Sequence, residues 1–191
     1  MENRNAFFEE KFKVRAEPDG GKYIEGYFAV FNQRTELWQK FFEEIAPGAF
    51  DKSLKENDIR CLFNHNPDVV LARTASGTLE LRTDAHGLWG SLRVNEDDKQ
   101  ALDVYARVSR GDISGCSFGF VPMKEEYDKL GDDDVLCRIL EADVREVSVC
   151  VFPAYPQTEV QARRRDFEKA RAASSADRVA AIRQRLENLK V

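Results

Sequence analysis

The 191-residue chain contains two histidines, His65 and His86. Histidine is the side chain whose ordinary pKa lies nearest neutrality, so a general base is sought first between these two. His86 sits in Asp84-Ala85-His86-Gly87, turn chemistry that reads as an exposed loop residue. His65 ends the apolar stretch Asp58–His65 and precedes the chain-turning pair Asn66-Pro67, a strand-end position from which an imidazole can face a cleft. A serine needs such a base within hydrogen-bond reach to become a nucleophile, and the base needs a partner to orient it. Ser117 lies in Ser114-Gly115-Cys116-Ser117-Phe118-Gly119-Phe120, where small neighbours leave room for a substrate backbone or, equally, for tight strand packing. Gly115 to Gly119 matches the letters G-x-S-x-G, but that elbow requires a strand–turn–helix, and Phe120-Val121-Pro122 continues as strand. Cys116 is a rival nucleophile. Adjacent strand residues point to opposite faces, so only one of Cys116 and Ser117 can meet His65. Glu146 interrupts the apolar run Val144–Phe152 and shares a face with Ser148 and Cys150, opposite Val147, Val149 and Val151. It can pair with His65 and hold its tautomer, or make a salt bridge with an arginine. Asp143 competes for the role of orienting carboxylate.

The elements that must position these residues are mostly strands. Lys22–Phe31 follows a Pro-Asp-Gly-Gly turn and is rich in aromatic and β-branched residues. Ala46–Asn57 reads as a short helix with Pro47 in its first turn. Asp58–His65 reads as a strand, Val69–Arg73 and Thr78–Thr83 as a strand pair around Ser76-Gly77, and Leu88–Val94 as a further strand. Asp97–Arg110 carries Ala101, Val104, Tyr105 and Val108 at helical spacing, with Asn95 or Asp97 as cap and Gly111 just beyond the end. Gly115–Met123 is a glycine-rich strand, Lys124–Asp134 an acidic exposed loop, and Val135–Leu140 and Val144–Phe152 the last two strands. About seven strands with two helices, and no βαβ repetition, imply a mainly β, α+β fold: an antiparallel barrel-like sheet with helices outside.

Composition excludes several classes. Apolar residues make up 42% and charged residues 33%, an ordinary globular balance. No run approaches the roughly 18 apolar residues of a membrane span, and residues 1–13 lack a signal-peptide core, so a cytoplasmic protein is expected. Cys61, Cys116, Cys137 and Cys150 form no C-x-x-C pair and read as buried reduced thiols; no zinc site and no cofactor is expected. The net charge of −5 divides into −10 for residues 1–162 and +5 for 163–191. An acidic body argues against a nucleic-acid partner. In the basic tail, 161–191, Val179, Ile182, Leu186 and Leu189 form an amphipathic stripe, and Ser174-x-x-Asp177 can open its helix.

Six segments in order resemble the tailed-phage prohead (capsid maturation) serine proteases: Gly26–Phe31, Glu44–Phe50, Phe63–Asn66, Gly87-Leu88, Ser114–Phe120 and Arg145–Ala154. The likeness runs from about residue 22 to 160 and sets domain limits of 1–160 for a protease domain and 161–191 for the tail. It implies a fold similar to herpesvirus assemblin and an endopeptidase that cuts scaffold or capsid-protein segments, and often itself, inside the assembling prohead of the host cell. The family's histidine falls on His65 and its serine on Ser117. Assemblin's third member is a histidine after the serine; this chain has none there, and Glu146 takes its place, with Asp143 the alternative. The implied partners are the major capsid protein or a scaffold protein, without nucleic acid or membrane, and a homodimer is an allowed assembly. A catalytically silent capsid- or scaffold-binding protein on the same fold is the competing reading.

Overall fold

The computed structural model describes residues 4–8, 12–17, 21–38, 40–131 and 134–151; the side chains of 4–8 and 38 lie outside this description. Eleven strands and two helices fall within it. They form two sheets rather than one closed barrel.

The smaller sheet has the order β2 (Lys13–Ala16), β3 (Lys22–Val30), β9 (Gly87–Arg93), β8 (Leu79–Thr83), antiparallel throughout. The larger is built on one long antiparallel hairpin, β10 (Gly115–Lys129) with β11 (Val135–Cys150). Strand β1 (Arg4–Phe8) lies antiparallel along the free edge of β10. The other edge of β11 is shared. Its first part pairs with β5 (Phe41–Ile45) and its last part with β6 (Arg60–Phe63), both in parallel. Between them α1 (Asp51–Glu56) loops out and carries the chain forward along β11, so β5 and β6 keep one direction. This crossover makes the sheet mixed where the sequence suggests an antiparallel one. β4 (Thr35–Trp38) flanks β5, and β7 (Asn66–Arg73) flanks β6.

Phe118 and Phe120 alternate on β10 toward the space between the sheets, stacked with ring centroids 5.0 Å apart. Phe50 meets Phe118 edge-on at 5.4 Å and stacks on Phe31 at 5.7 Å. These rings, with Phe28, Leu88 and Val147, are fully or almost fully buried, and their burial is what joins the two sheets. Helix α2 (Lys99–Arg110) buries Ala101, Val104 and Val108 and ends on Gly111 in the left-handed region. Its cap is Asp98, whose carboxylate accepts from Gln100 N at 2.8 Å; Asn95 instead accepts from Asp97 N.

Other expectations are corrected by pairing. β7 and β8 join different sheets, because residues 74–77 form a corner held by the Asp58 carboxylate on Arg73, Thr74 and Ala75. The acidic segment from Lys124 to Lys129 is strand, its polar side chains exposed except for the half-buried Glu125, while its backbone pairs with Val135–Glu141. The two final strands are one, β11, bridged by a bulge at Arg145. The short helix begins at Asp51, leaving Pro47 in the preceding turn, and Asn66-Pro67 opens β7 rather than turning the chain. All four cysteines are buried thiols outside any disulfide, as expected. Among the described residues no helix is long and apolar enough to cross a membrane. The tail helix at Val179–Leu189 and the limit at residue 160 lie outside the described residues.

Candidate active site

β10 and β11 present a small polar patch on the face turned away from the aromatic core. Directly opposed residues share a face, and Ser117 opposes Ser148 while Gly119 opposes Glu146. Ser117 is 1% exposed and Ser148 fully buried. Cys116 points the other way, into the core, where its thiol donates to Tyr27 O at 3.0 Å. The strand period therefore brings Ser117, and not Cys116, to the face of Glu146.

His65 reaches this face from the β6–β7 hairpin. Phe63 pairs with Asn66, leaving Asn64 and His65 as a two-residue turn with φ of 52° and 58°. Two consecutive positive φ values are the mark of a type I′ turn, which favours Asn at the first position and Gly at the second. Asn64 meets the first preference. Its backbone N–H donates to Val149 O, and its side-chain Oδ1 accepts from Val151 N at 2.9 Å, tying the turn to the end of β11. His65 occupies the position where glycine is favoured, so a non-glycine residue is held in the left-handed region at the site.

The imidazole Nδ1 lies 2.6 Å from Glu146 Oε1. The second carboxylate oxygen, Oε2, accepts from Ser148 Oγ at 2.6 Å. Gly119 makes room for this carboxylate: a Cβ there would stand 2.5 Å from Glu146 Oε1. Burial alone would lower the imidazole pKa, but the Cys150 sulfur and the Glu146 carboxylate beside the ring outweigh it, raising the pKa to about 10. Nε2 is buried and makes no hydrogen bond of normal geometry among the described residues. With Nδ1 on a carboxylate, the neutral ring carries its proton there and leaves Nε2 as acceptor.

The rival carboxylate is engaged elsewhere. Asp143 accepts from Asn57 Nδ2 at 2.6 Å and pairs with Arg145, and its strand position is beyond the bulge. Arg145 is exposed and turned to Asp143. His86 lies edge-on to Tyr27 at 4.5 Å in the turn, as its sequence context suggests. The structure thus joins His65 to Glu146 and sets Ser117 on the same patch, without a hydrogen bond from Nε2 to the serine. Ser148 and Cys150 are the participants that sequence reasoning left without a role, although the period of two already put them on the Glu146 face. No cluster among the described residues has the composition to hold a metal ion.

Comparison with known proteins adds a second line. Residues 10–173 match the model of a family described as caudovirus prohead serine protease. The chain is 29% identical over 154 residues to the prohead protease of Enterobacteria phage HK97, a match covering 78% of this chain and 64% of that one. The chain therefore spans slightly less than two thirds of that relative's length. No solved structure matches it.

Proposed function

The chain belongs to the caudovirus prohead serine protease family, and from that premise we propose that it is a serine endopeptidase with Ser117 as nucleophile, His65 as base and Glu146 as the carboxylate that orients the base. Its substrates are scaffold or capsid-protein segments inside the assembling prohead, and its own chain near the 154–165 boundary. The observation that carries this reading is the 2.6 Å contact between His65 Nδ1 and Glu146 Oε1 on the strand face that also bears Ser117.

The chemistry follows from the roles. Nε2 of neutral His65 accepts the hydroxyl proton as Ser117 Oγ attacks the scissile carbonyl, and a tetrahedral oxyanion forms. The imidazolium, stabilised by Glu146, then donates the proton to the leaving amine as the C–N bond breaks. Water repeats the sequence on the acyl-enzyme and restores the serine. Stabilisation of the oxyanion by backbone amides supplies the largest electrostatic contribution in such reactions, and the amides beside Ser117 are the candidates for it.

The near-complete burial of Ser117 favours one other reading, a silent capsid- or scaffold-binding protein on the same fold. Co-expression with the major capsid protein of the same phage separates them. Wild type trims the capsid or scaffold chain, read by intact mass, and Ser117→Ala and His65→Ala leave it whole. Untrimmed chains in all three would support the silent protein; trimming in all three would assign the cut to another protease.

A further inference from the structure

Three hydrogen bonds close a circuit around one buried hydroxyl. Ser148 Oγ donates its only proton to Glu146 Oε2 at 2.6 Å and accepts from the His65 backbone N–H at 3.3 Å. Glu146 Oε1 completes the ring on His65 Nδ1 at 2.6 Å. Ser148 is fully buried, directly opposite Ser117 on β10 and beside Leu62 on β6. A glutamate carboxylate rotates in a broad two-fold well about its last torsion, so a single contact to the imidazole does not fix its plane. A second contact on the other oxygen does. The same hydroxyl also anchors the backbone of the left-handed residue that carries the ring.

We propose that Ser148 is a positioning residue of the peptidase, fixing the plane of the Glu146 carboxylate and the backbone of His65 together so that Nδ1–H stays on Glu146 and Nε2 is left free to act as base. This rests on the triad reading above. It assigns Ser148 no contact with substrate; its effect passes through Glu146 and His65. The alternative is a serine that merely fills space in a tight strand pair. The two differ in what the hydroxyl does: a space-filling serine is replaced by alanine with no consequence for the ring, whereas a positioning serine is rescued only by another hydroxyl.

The test uses the full-length chain as wild type, Ser148→Ala, Ser148→Thr and His65→Ala, the last to assign the ring signals. Nitrogen-15 NMR follows the His65 Nδ1–H resonance, and capsid-chain trimming in co-expression follows the reaction. The expected result is a His65 Nδ1–H signal present in wild type and Ser148→Thr and lost or broadened in Ser148→Ala, with trimming slowed on the order of tenfold to a hundredfold by Ser148→Ala alone. A Ser148→Ala protein that keeps the Nδ1–H signal, or that trims within about twofold of wild type, overturns the proposal. So does a folded Ser148→Thr protein as impaired as Ser148→Ala. Continued trimming by Ser117→Ala would instead sink the triad reading, and the NMR comparison would still decide what Ser148 does to the ring.

Discussion

His65 stands where its turn favours glycine, and that position separates stability from function. A non-glycine residue in the left-handed region is strained by about 1–2 kcal/mol. Both His65→Gly and His65→Ala remove the imidazole and are expected to be inactive. The glycine variant is expected to be the more stable of the two by about 1 kcal/mol, read by chemical denaturation. Equal stabilities would mean that the turn is not strained. The raised pKa sets two pH dependences. A base must be neutral to accept a proton, so cleavage should keep rising with pH above 7 toward about 10 rather than levelling near the ordinary histidine value. The folded pKa lies above the unfolded value of about 6.5, so the stabilisation from the charged ring is fully present below that value and lost as pH climbs through about 10. The stability difference between wild type and His65→Ala should narrow across this interval in a pH series of unfolding curves. Of the proposed triad, His65 was legible in the sequence because histidine is scarce, two in the chain with one in an obvious turn; the period of two says only that Cys116 and Ser117 face opposite ways, and the choice of Ser117 came from the family resemblance. Glu146 against Asp143 was not decidable there, because the bulge at Arg145 that separates their surroundings leaves no mark in the residue pattern.

At the scale of elements, the site is a hairpin face completed by a turn from a neighbouring strand. Gly119 shows how closely it is built. The sequence suggests that glycines around Ser117 admit a substrate backbone; Gly119 in fact admits the carboxylate of Glu146 from the paired strand. Gly119→Ala should push that carboxylate off His65 and slow cleavage on the order of tenfold to a hundredfold, while the fold loses only about 1–3 kcal/mol to overpacking. Trimming rates with a thermal melt check both halves; wild-type cleavage by a folded Gly119→Ala protein would show that Glu146 has no orienting role. Elements with strong local signals, such as α2 with its apolar stripe and Gly111, were readable. The acidic continuation of β10 was not, because its side chains are mostly exposed and only its pairing with the apolar start of β11 makes it strand. Partner choice is equally non-local: nothing in Val69–Thr83 says that its two strands part at a corner into different sheets.

For the whole molecule, the polar patch depends on an aromatic core behind it. Phe118 packs between Phe50 and Phe120, one residue from Ser117 and on the opposite face of the same strand. Phe118→Ala should destabilise the protein by about 3–5 kcal/mol, measured by denaturant unfolding. A loss under about 1 kcal/mol would mean that the two sheets are not held together there. The mainly β character was readable from alternation, but the two-sheet, mixed arrangement was not, since parallel pairing of β5 and β6 on one edge of β11 is a property of the crossover and not of any segment. All of the proposed chemistry turns on Ser117 Oγ as the nucleophile. The most direct test replaces the oxygen: trimming of the capsid chain by Ser117→Cys, before and after iodoacetamide, beside Ser117→Ala. Slow trimming is expected from the cysteine variant, abolished when alkylation maps to the introduced thiol, with no trimming by the alanine variant and wild-type trimming untouched by the reagent. Trimming by Ser117→Ala at the wild-type rate would contradict that assignment.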